Sequence, residues 1–67
     1  MITLVEQIAE AQRELAPRRK RYSGWVKAGK LDAGDATYQM RVMEAIVRTL
    51  MRLDAEQRQL SLFNQGA

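Results

Sequence analysis

The chain has 67 residues, a length that allows one small domain. It contains no histidine and no cysteine, which excludes disulfides, thiolate metal sites, cysteine nucleophiles and histidine acid–base catalysis. Eleven Lys and Arg against eight Asp and Glu leave a net charge of +3. No apolar run reaches the roughly 18 residues that span a bilayer. We therefore expect a cytoplasmic protein that needs no membrane, cofactor or metal.

The first half of the chain has the pattern of one amphipathic helix. Thr3 followed by Glu6 is a capping-box signature. Pro17 interrupts the pattern, because an interior proline loses a backbone hydrogen bond and clashes with the preceding turn. We expect a kink near this residue, with a restart of the helix at Pro17 as the alternative. The predicted apolar stripe, which Arg18 interrupts, consists of Leu4, Ile8, Ala11, Leu15, Tyr22 and Trp25.

A second helix follows after a short connection. Gly29 suits the end of the first helix, and Asp32 with Asp35 three residues later suits the start of the second. No proline occurs from Ala33 to about Leu60, so the helix is expected over that range. A connection this short predicts an all-α, antiparallel hairpin of two long helices over residues 1–58. The second apolar stripe consists of Ala36, Met40, Met43, Ile46, Val47, Leu50 and Leu53.

A lone hairpin of this size has a thin core. Four further apolar residues fall outside the two predicted stripes and need cover: Val5, Val26, Val42 and Met51. A homodimer that closes into a four-helix bundle would supply that cover. We therefore expect dimerisation.

The most specific motif in the sequence is Gln59-Leu60-Ser61-Leu62-Phe63, within a predicted tail over residues 59–67. It resembles the peptide by which bacterial replication and repair proteins bind the sliding clamp, the β subunit of DNA polymerase. The pattern of that peptide is Gln-Leu-(Ser or Asp)-Leu-Phe, and all five positions match. The adjacent large residues Leu62 and Phe63 are typical of a segment that inserts into an apolar pocket.

The resemblance implies a role for each residue of the motif. Leu62 and Phe63 would enter the apolar pocket of the clamp, and Leu60 would cover a neighbouring surface. Gln59 would hydrogen-bond at the edge of the pocket, with Ser61 as the linker. The alternative is structural: Leu60 and Phe63, three residues apart, would extend the stripe of the second helix and pack on the hairpin.

A second candidate site is the basic stretch Arg18-Arg19-Lys20-Arg21, with Lys27 and Lys30 close behind. Tyr22 and Trp25 lie among these bases, and such a mixture can hold phosphates and stack on nucleic-acid bases. The alternative is a solvated basic face beside two core aromatics. DNA contact by this stretch would define a small nucleic-acid-binding or regulatory module.

The body of the chain also resembles a pattern in small phage and prophage proteins. The residues that carry it are Arg18-Arg19, Tyr22, Trp25-Val26, Gly29, Leu31 and Val42-Met43-Glu44-Ala45-Ile46. With the clamp motif, this implies a phage protein that acts on bacterial DNA replication, either recruiting the clamp or displacing host polymerases from its pocket. The acidic residues form no nucleophile–base pairing and accompany no phosphate-binding loop, so we expect no enzyme activity.

Overall fold

A computed structural model describes the backbone of residues 1–65 and the side chains of residues 1–63. Within that range the chain forms two helices, α1 (Leu4–Lys27) and α2 (Ala33–Gln65), and no strand. Val5 near the start of α1 lines a surface concavity with Ala55 and Arg58 near the end of α2, so the helices are antiparallel. The predicted all-α hairpin is confirmed. It is elongated, with extents of 59 × 20 × 15 Å.

Local side-chain and backbone hydrogen bonds fix both ends of α1. The Thr3 hydroxyl accepts from the backbone N–H of Glu6 at 3.1 Å, as the capping signature predicts. At the other end, the N–H of Lys30 donates to the Trp25 carbonyl at 2.8 Å, and the N–H of Gly29 donates to the Val26 carbonyl at 3.1 Å. These two bonds form a Schellman motif. Gly29 has a φ of 72°, the left-handed conformation that the motif requires and that glycine adopts at least cost.

The start of α2 follows the sequence prediction, whereas its end does not. One carboxylate oxygen of Asp32 accepts from the N–H of Gly34 at 2.9 Å and of Asp35 at 3.2 Å. The helix then continues to Gln65, five residues beyond the predicted end near Leu60. No proline or glycine occurs from Asp35 to Gln65, and Gln, Leu and Arg have good helix propensity. Residues 66 and 67 of the predicted tail lie outside the described range.

α1 continues through Pro17 as a single helix, so the alternative of a restart at that residue is wrong. One proline removes one backbone hydrogen bond. Leu15 and Arg18, on either side of it, are both half-buried. The adjoining turns are therefore held by packing, which carries the helix across the lost bond. The kink stays a prediction.

The core is a narrow strip between the two helices. Only Ala36 and Val47 are buried among the described residues, at 8% and 7% exposure. An ion pair joins the helices, with 3.5 Å between the Arg19 guanidinium and the Glu44 carboxylate. Neither helix combines the length and apolarity needed to cross a bilayer, over the part of the chain that the structure describes. The half-buried apolar side chains of the strip are Leu4, Ile8, Ala11, Leu15, Tyr22, Val26, Met40, Met43 and Leu50.

Some residues of the predicted stripes lie outside this strip. Trp25 is 42% exposed. Val26 occupies the half-buried position in the strip that the prediction assigned to Trp25. The reason is geometric: each residue turns the helix by about 100°, so Val26 continues the four-residue step from Tyr22 more closely than Trp25 does. Ile46 and Leu53 were also predicted to face α1, yet they are 45% and 39% exposed on another side of α2.

Candidate functional site

The clamp-like motif lies on a part of α2 that extends past the start of α1. Arg19 pairs with Glu44, and Ile8 lines the same concavity as Ala55. This register places Leu4, the first residue of α1, level with Gln59. The last turns of α2, residues 59–65, therefore begin level with the first residue of α1 and continue without an opposing turn of α1. We call residues 59–65 the overhang.

The three apolar side chains of the motif are exposed on the overhang. Leu60 is 62% exposed, Leu62 is 68% exposed and Phe63 is 77% exposed. Gln59 and Ser61 are exposed as well. Leu60 and Phe63 therefore do not pack on the hairpin, and the structural alternative for the motif is wrong. Packing ends because α1 ends, and the apolar spacing of α2 continues beyond it.

The helical geometry of the overhang separates the three apolar side chains. At about 100° per residue, Leu60 and Phe63 lie roughly 60° apart around the helix axis. Leu62 lies about 160° from Leu60 on nearly the opposite side. One pocket therefore cannot take all three side chains from an intact helix. Insertion of the whole motif requires the overhang to unwind.

The basic stretch of α1 does not form a single patch. Arg18 is half-buried against α2, and Arg19 is engaged by Glu44. Lys20 lies on the outer side of α1, away from α2. Lys27 instead lines a concavity between the helices, with Ala33 and Thr37 of α2. Arg21 is about 100° from Lys20 around the helix. Lys20, Arg21, Lys27 and Lys30 are exposed and make no ion pair within residues 1–65.

The two aromatic residues near the bases form a pair of their own. The ring centroids of Tyr22 and Trp25 are 5.7 Å apart, with a tilt of 31° between the rings. Tyr22 is half-buried and belongs to the core, which leaves the exposed Trp25 as the available stacking surface. Of the two aromatics, the predicted core role therefore holds for Tyr22 and not for Trp25.

Acidic side chains do not assemble into a metal site within the described residues. Four carboxylates are engaged by arginines instead. Glu10 pairs with Arg13, and Asp54 pairs with Arg58 at 2.8 Å. Glu56 lies 3.8 Å from Arg52, and Glu44 holds Arg19.

α2 also carries a second apolar row that the sequence reasoning did not separate from the first. Val42 is 40% exposed, and it lies on the same side of α2 as Ile46 and Leu53. The alternating steps of four and three residues along Val42, Ile46, Thr49 and Leu53 are visible in the printed sequence. That spacing predicts a coiled-coil seam.

Comparisons with protein-family models, curated proteins and solved structures find no significant match to the chain.

Proposed function

We propose that this chain is a phage-type small protein of the bacterial cytoplasm that binds the DNA polymerase sliding clamp through Gln59–Phe63. It would thereby modulate DNA replication. Binding either brings the clamp to another component or keeps host polymerases out of the pocket. The observation that carries the proposal is that the motif's three apolar side chains are more than 60% exposed. A partner can reach them without opening the hairpin.

The exposed apolar area gives the motif its binding energy. Complete burial of a Leu or Phe side chain contributes about 1.5–3 kcal/mol. The five residues must leave the helix and be fixed in the bound conformation, which costs a comparable amount of free energy. One motif is therefore expected to bind with a dissociation constant on the order of micromolar. Contacts from Gln59 at the rim of the pocket would add orientation.

The experiment is a calorimetric titration of the protein into a purified bacterial sliding clamp. The test variant is Leu62→Ala/Phe63→Ala. Losing both anchors removes about 3 kcal/mol or more, which is a loss of affinity of over 100-fold. Thermal stability should stay unchanged because both side chains are exposed on the overhang.

The matched control is Ile2→Ala/Val5→Ala, which also removes two exposed apolar side chains, at 70% and 55% exposure. It should bind the clamp like the parent. Equal binding by the parent and the Leu62→Ala/Phe63→Ala variant would contradict the proposal. A polymerase assay on primed DNA then separates recruitment, which raises synthesis, from competition, which lowers it.

Contact with nucleic acid is a second candidate, and the exposed lysines Lys20 and Lys27 favour it. Phosphate binding weakens steeply with salt because counterions are released. Apolar insertion into a pocket changes little over the same range. Titrations against the clamp and against duplex DNA at 50 and at about 200 mM salt therefore distinguish the two.

A further inference from the structure

The second apolar row of α2 belongs to a longer heptad seam that faces away from α1. We call it the outer seam. Its centre lies about 120° around the helix from Val47, the buried residue that faces α1. Its apolar members Val42, Ile46 and Leu53 are 40%, 45% and 39% exposed. The outer seam consists of Gln39, Val42, Ile46, Thr49, Leu53 and Glu56.

The middle of the outer seam is a concavity shaped to receive a side chain. Val42, Ala45, Ile46 and Thr49 line it, together with Leu50. The first four stand at i, i+3, i+4 and i+7, the arrangement of a hole in knobs-into-holes packing between helices. The small side chains of Ala45 and Thr49 allow another helix to approach closely. A second α-helix is therefore the occupant that this surface fits.

We propose that this helix is the α2 of a second copy of the chain, packed antiparallel along the outer seam. A parallel pairing would set Glu56 against Glu56, and like charges in a seam are destabilising. One antiparallel register instead sets polar against polar at the ends of the seam and apolar against apolar further in, with Thr49 as the one polar residue that faces an apolar one. It sets Val42 of each copy opposite Leu53 of the other, Ile46 opposite Thr49, and Gln39 opposite Glu56.

Arg18 supplies charge complementarity at the polar end of this register. Arg18 lines a concavity with Gln39 and Val42, and its Nε atom is buried without a hydrogen-bond partner among the residues whose side chains are described. The carboxylate of Glu56 from the other copy, placed opposite Gln39, would enter this concavity and exchange its 3.8 Å contact with Arg52 for one with the Arg18 guanidinium. A buried donor left unpaired is costly, so the pairing would remove a penalty that the single hairpin carries.

The size of the seam sets the strength of the dimer. Residues 39–56 span about 27 Å of helix. An interface of this length and one helix wide buries on the order of 1,000 Å² over both copies, the low end for specific association. The dimer should therefore dissociate in the micromolar range. The pairing ends before Gln59 and does not rest on clamp binding.

Because the chain contains no cysteine, introduced cysteines report the register directly. Val42→Cys and Leu53→Cys are made separately and oxidised at about 200 μM protein, alone and as an equimolar mixture. The proposed register predicts disulfide-linked heterodimers in the mixture and little crosslinking of either variant alone. Crosslinking of each variant to itself would indicate a parallel pairing. The absence of crosslinking in every sample would show that the interface does not form. Either outcome overturns the proposal.

Sedimentation of the chain without the clamp tests the same surface independently of the proposed function. Ile46→Glu should raise the dimer dissociation constant at least tenfold. Met51→Glu is the matched control, because Met51 is 49% exposed and lies off the outer seam, in a concavity with Val5 and Ile8 of α1. This change should have less than a twofold effect on the dissociation constant. Arg18→Glu and Glu56→Arg should each weaken the dimer, and their combination should restore it. Equal dissociation constants for Ile46→Glu and Met51→Glu would overturn the proposal, whatever the clamp titration gives.

Discussion

Replacing Gln57 tests whether the motif must leave the helix to bind the clamp. Leu60 and Leu62 point to nearly opposite sides of α2, so an intact helix cannot place Leu62 in a pocket and Leu60 on the surface beside that pocket. Gln57 is exposed and lies two residues before the motif. Gln57→Gly should favour conformations in which α2 ends just before Gln59. Glycine is unfavourable inside a helix and favourable at the position that follows the last helical residue. Gln57→Ala should instead stabilise the helix through this position, because alanine has the highest helix propensity.

The expected magnitude follows from helix propensity alone, because nothing on α1 packs against the overhang. Glycine is about 0.8–1.0 kcal/mol less favourable than alanine inside a helix. This difference changes the population of the unwound overhang by roughly four- to fivefold. Since the apparent affinity scales with the competent population, the Gly variant should bind the clamp about four times as tightly as the Ala variant. The parent should lie between them.

The assay is a calorimetric titration of the parent and the two variants into the clamp, with circular dichroism before and after mixing. Helical signal should fall on binding by an amount that corresponds to the last turns of α2. If the Ala variant binds as tightly as the Gly variant, or more tightly, the overhang binds as a helix and the unwinding argument is wrong. Thermal unfolding of the free proteins controls for a change in the hairpin itself.

Two predictions concern the stability of the hairpin. Gly29→Ala should destabilise it by about 1 kcal/mol, because φ at this position is 72° and alanine is strained there; chemical denaturation measures the loss, and an unchanged midpoint would contradict the Schellman cap. Val47→Ala should cost about 2 kcal/mol because the side chain is 7% exposed, and the same substitution at Val42, which is 40% exposed, should cost less in the monomer. Thermal melts at a dilution that dissociates any dimer compare the two, and equal losses would refute the assigned faces of α2.

The helix boundaries that local chemistry controls were predictable from sequence. Thr3 and Asp32 each offer a side-chain oxygen to free N–H groups of a first turn, and both do so in the structure. Gly29 adopts the left-handed conformation for which glycine is suited. Such caps depend on residues within five positions of one another, so no tertiary information is needed.

The side-chain faces were less predictable because α2 is apolar on two sides. A single stripe was assigned to residues that divide between the core and the outer seam, as Val47 and Ile46 do. Adjacent residues differ by about 100° around the helix axis. When the apolar residues of both sides are read together along the sequence, their spacing does not indicate which side contacts α1. The exposure of the motif was hard to predict for a different reason, since it depends on where α1 starts relative to Gln59.

The two proposed surfaces of α2 have a joint consequence for clamp binding. The antiparallel register has its twofold axis between residues 47 and 48, so the two Ser61 residues would lie about 40 Å apart at opposite ends of the dimer. A dimer then presents two weak motifs, which gain from effective concentration on a ring that offers more than one pocket. Ile46→Glu should therefore shorten the residence time on the clamp although it leaves Gln59–Phe63 intact. Equal residence times for Ile46→Glu and Met51→Glu would show that each motif binds alone.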